Sequence, residues 1–242
     1  MGRSNDDAVS VLVAWCGEMA LFLYFLTFVP MMRSIFRSRS VHGYTSLPLV
    51  AALGSCVMWV IYSAKYPRGS RQPALIGNCL GLPLNIYFCN MYHRFAPDDE
   101  ARILRRNLLY SIGAVAVAVL LAFSVPLPDF LGEGSGSTSM LGSAAAIFST
   151  YMYAAPLAGV RSDVMPLEQT IGALLCSATW SAYAAYTSDI TIGVPNFCGV
   201  VLGFLQLCCF CDRQANNSEV LDPSSLVNAH GYIYHQGTTQ AC

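Results

Sequence analysis

Two tryptophans and two asparagines occupy matching places in the sequence, and together they favour the binding of a neutral solute. Trp59 begins the segment WVIY, and Asn78 follows it in GNCLG. Trp180 begins the segment WSAY, and Asn196 follows it in PNFCG. An indole face can pack against the C–H side of a sugar ring, and an amide both donates and accepts hydrogen bonds, as hydroxyl groups do. We therefore expect these four side chains to line one cavity that takes a polyhydroxylated solute.

Each of these residue types also has a purely structural explanation. A tryptophan in a membrane protein can anchor a helix at the interface, and a buried asparagine can join two helices. Neither role requires the residues to recur in the same order in two parts of the chain. The recurrence therefore favours binding.

Acids and bases are scarce in the apolar segments, which argues against an ion site, a metal site or a catalytic centre. Glu18 is the exception, and it has no counterpart in the second half of the chain. An intramembrane carboxylate can belong to a proton relay, or it can serve as a contact between helices. The scarcity of such groups predicts uncoupled, facilitative transport by a protein that is not an enzyme and needs no cofactor.

The elements that position these residues are predicted to be membrane-spanning helices. The chain has 242 residues, of which 55% are hydrophobic and 11% are charged, whereas soluble domains carry about 25% charged residues. The net charge of −1 gives no reason to expect a nucleic-acid partner. A spanning helix needs about 20 mostly apolar residues. The sequence offers seven such segments, at about 9–32, 46–64, 74–92, 107–127, 139–160, 166–186 and 190–211.

The spans form two copies of a three-span unit, because spans 1–3 and 5–7 carry the paired features in the same order. Span 4 is left over, and an odd number of spans between the copies gives both the same orientation in the bilayer. We expect an all-α membrane protein with two parallel three-helix repeats joined by a linker helix. The predicted divisions are 1–96 for the first repeat, 97–137 for the linker helix and its loop, 138–211 for the second repeat, and 212–242 for a disordered tail.

The basic residues set the expected orientation. Most of the 13 lysines and arginines lie on one side of the spans, and the positive-inside rule then places the N-terminus outside and the C-terminus in the cytosol. Asn216 lies in a glycosylation sequon that this orientation leaves unmodified. The plasma membrane is the expected location, and an internal membrane is the alternative.

Prolines and cysteines suggest two further roles. Pro30, Pro48, Pro156 and Pro166 lie near one side of the predicted spans, where we expect them to kink helices around a gate. Most of the ten cysteines lie within apolar runs and are expected to pack as small apolar side chains. A cluster at the end of the last span could instead be palmitoylated; it comprises Cys208, Cys209 and Cys211.

The combined pattern resembles the SWEET sugar transporters of the MtN3/saliva family over about residues 12 to 211. The matching segments include RSRSVHGYTSLP, WVIY, GNCLG, FSTYMYAAPL, SATWSAY and VPNFCGVVLGFLQL. The resemblance implies a 3+1+3 arrangement with the N-terminus outside, uniport of mono- or disaccharides by alternating access, and association of protomers. It also maps the family's paired asparagines to Asn78 and Asn196. Counted without gaps, the family's first hinge proline falls at Phe28, two residues before Pro30.

Two other functions predict different sequence patterns from sugar uniport. A seven-span receptor predicts no internal repeat and usually an exterior disulfide. A related PQ-loop carrier of another small solute predicts Pro-Gln at the hinges, but here Leu49 and Leu167 follow the prolines.

Overall fold

The computed structural model describes residues 2–41, 43–65, 72–124, 136–157 and 167–220, and these residues form eight helices. The helices are α1 (Gly2–Leu26), α2 (Phe28–Ser38), α3 (Leu47–Lys65), α4 (Gln72–Phe95), α5 (Asp98–Ser124), α6 (Gly136–Ala154), α7 (Leu167–Thr187) and α8 (Ile190–Val220). Helices α1 and α2 follow one another with only Thr27 between them and together make the first span. The described residues therefore form seven helical segments of spanning length, as the sequence predicts.

Four of these helical stretches are long and apolar enough to cross a membrane by length and composition alone. They are Ala8–Ser38, Leu47–Lys65, Asp98–Ser124 and Ile190–Gln214. Helices α4, α6 and α7 have a more mixed composition of small, polar and apolar residues. A helix that packs against other helices can carry polar residues on its protein-facing side, so this composition suits an internal position.

The helices form two three-helix bundles with the same internal arrangement. Helix α4 packs against both α1 and α3 in the first bundle, and α8 packs against both α6 and α7 in the second. The bundles meet where α1 packs against α7 and where α3 packs against α6. This is the 3+1+3 fold expected from the repeat.

Helix α5 is the linker, and it packs mainly on the outside of α3 and α6. Only 6% of its most apolar stretch is buried. Exposed apolar side chains on several sides of this helix face the lipid, which explains why its sequence shows no polar stripe; they include Leu109, Ile112, Val117, Leu120 and Phe123. The linker therefore joins the repeats without entering the space between them.

The helix ends differ in places from the predicted spans. Helix α8 continues to Val220, past the predicted end of the last span at 211. Pro195 and Pro83 lie inside continuous helices, so neither proline ends its helix. Pro166 and the tail beyond residue 220 lie outside the described residues.

Candidate functional site

The four side chains predicted to bind a solute line one cavity between the two bundles, which we call the central cavity. Both asparagines and Trp180 are buried, whereas Trp59 is half-buried. All three helices of each bundle contribute to the wall. The lining residues are Leu21, Phe25, Ser55, Cys56, Trp59, Ala74, Asn78, Ser149, Met152, Tyr153, Cys176, Trp180, Ile192 and Asn196.

The two asparagines are held in the same way. Asn78 Nδ2 donates a hydrogen bond of 2.8 Å to the carbonyl of Ala74, four residues earlier in α4. Asn196 Nδ2 donates a hydrogen bond of 2.7 Å to the carbonyl of Ile192, four residues earlier in α8. In each case the amide nitrogen is tied to its own helix, so the orientation of the amide is set by local backbone geometry.

The two tryptophans also have equivalent neighbours. The rings of Trp59 and Tyr62 lie 5.7 Å apart at an interplanar angle of 76°. The rings of Trp180 and Tyr183 lie 5.3 Å apart at 77°. Edge-to-face packing of this kind stabilises an aromatic pair and restricts the indole to one orientation. The W-x-x-Y repeat in the sequence is therefore a repeat in space.

Glycines fix the register between the first and third helices of each bundle. A Cβ on Gly81 would collide with the Phe25 ring, and a Cβ on Gly199 would lie 2.5 Å from Cδ2 of Tyr153. Gly81 and Gly199 end the two Asn-x-x-Gly motifs, so Phe25 and Tyr153 occupy equivalent places. The backbones approach closely at both points because no side chain separates them.

The equivalence ends at the hydroxyl group of Tyr153. Tyr153 Oη donates a hydrogen bond of 2.8 Å to Asn196 Oδ1. Phe25 has no hydroxyl, and Asn78 Oδ1 has no hydrogen-bond partner among the described residues. The amide oxygen is therefore engaged in the second bundle and open to a ligand in the first.

The indole nitrogens also differ, but here the group in the first bundle has the hydrogen-bond partner. Trp59 Nε1 donates a hydrogen bond of 2.6 Å to Ser149 Oγ, which also lies 3.2 Å from Ser55 Oγ. Within the described part of the chain, Trp180 Nε1 has no such acceptor. Counting back from Phe25 and Tyr153, the residue equivalent to Ser149 is Leu21, which cannot accept a hydrogen bond. Helix α6 thus supplies both polar partners, and α1 supplies apolar side chains in their place.

The central cavity is narrow in this conformation. Its volume is about 40 Å³, which suits a few water molecules at most. A sugar is several times larger than this space, so the walls must separate before one can enter. Binding at this site therefore requires movement of the helices that form it.

The first span breaks at Thr27. Pro30 has no N–H to donate to the Leu26 carbonyl, and a proline ring crowds the carbonyl four residues before it. The Thr27 N–H is shared between the carbonyls of Leu23 and Tyr24, and its hydroxyl also donates to the Tyr24 carbonyl. The proline itself is exposed, and the break lies one turn before it.

The other described prolines of the predicted gate lie at helix ends and not in helix interiors. Pro48 is buried in the first turn of α3, where a missing N–H costs nothing. Pro156 is buried in a short 3₁₀ turn that follows α6. Pro48 and Pro156 therefore do not kink helix interiors, contrary to the expectation from the sequence; each joins a helix to the adjoining segment.

Phe28 occupies the position equivalent to Pro156. Phe25 and Tyr153 are equivalent, and Phe28 and Pro156 lie three residues after them. The Phe28 ring is fully buried and packs 6.0 Å from the Phe88 ring. In the second bundle, Gln206 Nε2 donates a hydrogen bond of 2.7 Å to the Tyr153 carbonyl beside the 3₁₀ turn. The two bundles therefore hold these equivalent segments by different contacts.

Sequence reasoning missed Ser149 and Tyr153, although both lie in the quoted segment FSTYMYAAPL. A serine and a tyrosine that lie four residues apart share one face of a helix, and this spacing was the available signal. The cysteines Cys56 and Cys176 also line the cavity, where they are buried and unpaired. Near the end of α8, Cys208 and Cys211 are exposed and Cys209 is half-buried.

Comparison with known proteins agrees with this architecture. The family model described as "Sugar efflux transporter for intercellular exchange" matches residues 11–100 and 139–216, and each stretch contains one tryptophan–asparagine pair. The chain is 24% identical to the bidirectional sugar transporter NEC1 of Petunia hybrida over 214 residues, which cover 86% of this chain and 78% of that protein. It is 30% identical to the bidirectional sugar transporter SWEET16 of Oryza sativa subsp. japonica over 206 residues, which cover 82% of this chain and 60% of that protein.

The fold also matches a solved structure of a eukaryotic SWEET transporter determined at 3.7 Å resolution. The TM-score is 0.67 at 18% identity, and the match covers 87% of this chain and 99% of the solved chain. The chain therefore belongs to the MtN3/saliva family of SWEET sugar transporters, membrane transporters and not enzymes.

Proposed function

We propose that this protein carries small neutral sugars across a membrane in both directions, without coupling to another solute. The observation that carries the proposal is the convergence of Trp59, Asn78, Trp180 and Asn196 on one cavity between the repeats. Named relatives are bidirectional sugar transporters, which agrees with this reading. Mono- and disaccharides are the proposed substrates.

The hydrogen-bonding groups of the cavity suit a hydroxylated ligand. Asn78 Oδ1 would accept from one sugar hydroxyl, and Trp180 Nε1 would donate to another. Asn196 and Trp59 are already engaged by α6, so they would contact the sugar mainly through their surfaces. The sugar would therefore bind asymmetrically, with its strongest polar contacts to Asn78 and Trp180.

Transport would proceed by alternating access, with the two bundles moving relative to one another around the central cavity. Transporters built from internal repeats commonly move in this way. The break at Thr27 and the helix ends at Pro48 and Pro156 would provide the joints, and Pro166 would provide the equivalent joint before α7. The divisions 1–96, 97–137, 138–211 and 212–242 describe the units of this movement, its linker and its tail.

The proposed orientation has the N-terminus outside and the C-terminus in the cytosol, in the plasma membrane. Arg102, Arg105 and Arg106 lie near the start of α5 and would then face the cytosol, as the positive-inside rule requires. Association of protomers is proposed as well, although each chain contains both repeats and one complete cavity.

A carrier of another solute is the main competing function. The central cavity offers amide, indole, hydroxyl and thiol groups and has no charged side chain in its lining. Amino acids and other charged solutes would enter this lining without a counter-charge, which is costly. The lining therefore favours a neutral solute.

Uptake by asparagine variants tests the proposal. Asn78→Ala and Asn196→Ala are expected to abolish uptake of labelled glucose or sucrose by transporter-deficient cells while surface expression persists. Asn90→Ala is the matched control, because Asn90 is exposed and makes the same hydrogen bond to the carbonyl four residues before it. Normal uptake by both cavity variants would show that the sugar binds elsewhere.

A further inference from the structure

Glu18 is a buried acid that has no role in the transport cycle proposed above. It lies on α1, and its exposed fraction is 5%. Neither carboxyl oxygen has a hydrogen-bond partner of good geometry among the described residues. Helix α1 packs against α4 and α7, so the side chain is enclosed by protein and not by lipid.

The carboxyl group lies directly against the backbone of α4 at Gly77. A Cβ at Gly77 would collide with Glu18 Oε2, so only glycine leaves room for the acid. Gly77 immediately precedes Asn78, and Leu21 lies one turn beyond Glu18 in α1. Both Asn78 and Leu21 line the central cavity. The acid therefore holds the α1–α4 contact at the edge of the site.

The second bundle has no such contact. Pro195 takes the place of Gly77, and Ala146 takes the place of Glu18 when the register of Phe25 and Tyr153 is used. The acid and the glycine thus form a pair that is present in one repeat and absent from the other. The glycine is required in the first repeat because the acid occupies the space that a side chain at that position would fill.

The group among the described residues that favours a negative charge on Glu18 is the backbone N–H of Gly77, which lies close to the carboxyl group but is poorly aligned for a hydrogen bond. The titratable groups that interact with it electrostatically are the thiols of Cys56 on α3 and Cys176 on α7. No charged side chain of the described residues acts on the carboxyl group. An unpaired carboxylate in such surroundings is costly, whereas the protonated group is a neutral donor and acceptor.

We propose that Glu18 is a proton-binding positioning residue, whose neutral form keeps α1 against Gly77 and thereby sets the position of Asn78. The inference rests on the proposed function and adds a requirement to it: the protein transports sugar when Glu18 carries a proton. The proton stays bound through the cycle, so the transporter depends on pH without moving protons along with sugar.

The test is sugar counterflow in proteoliposomes with equal pH on both sides, measured from about pH 5 to about pH 9. The wild type is expected to lose at least about five-fold in rate toward the alkaline end, whereas Glu18→Gln is expected to transport at every pH with a flat profile. Glu168→Gln is the control, because Glu168 is an exposed acid at the start of α7 and its loss should leave the wild-type profile unchanged. A flat wild-type profile, or a folded but inactive Glu18→Gln variant, would overturn the proposal.

Thermal unfolding in detergent supplies a readout that does not depend on transport. Because the neutral group fits the site and the charged group does not, the wild type should lose stability as the pH rises, and Glu18→Gln should lose less. Absence of transport by the wild type would contradict the proposed function, and the melting curves would still decide the role of Glu18. Equal pH dependence of both proteins would contradict that role.

A double substitution tests the contact itself. Gly77→Ala is expected to lower both stability and transport, because the new Cβ takes the space of the carboxyl group. Adding Glu18→Ala should restore stability in part by vacating that space. No recovery in the double variant would show that the acid and the glycine are not a pair.

Discussion

Substitution of Gly199 by alanine should destabilise the second bundle at the edge of the central cavity. The added Cβ would lie 2.5 Å from Cδ2 of Tyr153 and 2.8 Å from Cβ of Ser177. Both distances are far shorter than an ordinary carbon–carbon contact of about 3.5–4.0 Å. Tyr153 is also held through its hydroxyl by Asn196, so its ring cannot move aside without losing that bond.

The expected magnitude follows from two opposing contributions. An alanine favours the helix over a glycine by about 1 kcal/mol. Overpacking of a tight site costs about 1–3 kcal/mol, and the upper half of that range applies because neither neighbour is flexible. The Gly199→Ala protein should therefore be less stable than wild type by about 1–2 kcal/mol.

Gly113 provides a matched control within the same protein. It lies in α5, and a Cβ there would meet no atom within 4 Å. Gly113→Ala should keep the helix benefit and gain up to about 1 kcal/mol. The two variants should then differ by about 2–3 kcal/mol, or about 4–12 °C in Tm at this chain length.

The assay is thermal unfolding of the purified variants in one detergent, followed by the fluorescence of a thiol-reactive dye. Sugar uptake is measured on the same preparations, and the Gly199→Ala protein should transport more slowly because its α6–α8 contact is displaced. Equal Tm values for the two variants would refute the close approach at Gly199.

Three further predictions concern the asymmetry of the cavity and the first hinge. Tyr153→Phe should lower stability by about 1 kcal/mol in melting experiments, because Asn196 Oδ1 loses the hydroxyl group that donates to it. Uptake should persist, and complete loss of uptake would contradict this. Trp180→Phe should raise the KM for sugar more than Trp59→Phe does, because the Trp180 N–H is the one open to a ligand. The reverse order would refute that assignment. Pro30→Ala should raise Tm and slow sugar exchange because the helix regains a hydrogen bond at the break, whereas faster exchange would exclude a hinge there.

Much of the fold follows from patterns that act within one segment. A bilayer requires long apolar helices, so four of the spans stand out by length and hydropathy, and the repeated W-x-x-Y and N-x-x-G motifs reveal the pairing of spans 1–3 with spans 5–7. The exposure of α5 likewise follows from the long apolar run in its second half. These features depend on composition and order, which the sequence contains directly.

The details of the site depend on contacts between distant segments, and the sequence alone does not show which segments meet. The pairing of Glu18 with Gly77 joins residues from two helices, and no local pattern connects them. The hydrogen bonds of Ser149 and Tyr153 likewise depend on how α6 lies against α3 and α8. Pro48 was expected to bend a helix, but a proline in the first turn starts one.

The steady-state distribution of a labelled sugar across proteoliposomes that contain the purified protein is the sharpest test of uncoupled sugar transport. Uniport predicts rapid uptake that ends at equal sugar concentrations inside and outside, whether or not a proton gradient is imposed. Accumulation above the external concentration, or uptake no faster than that of protein-free liposomes, would contradict it.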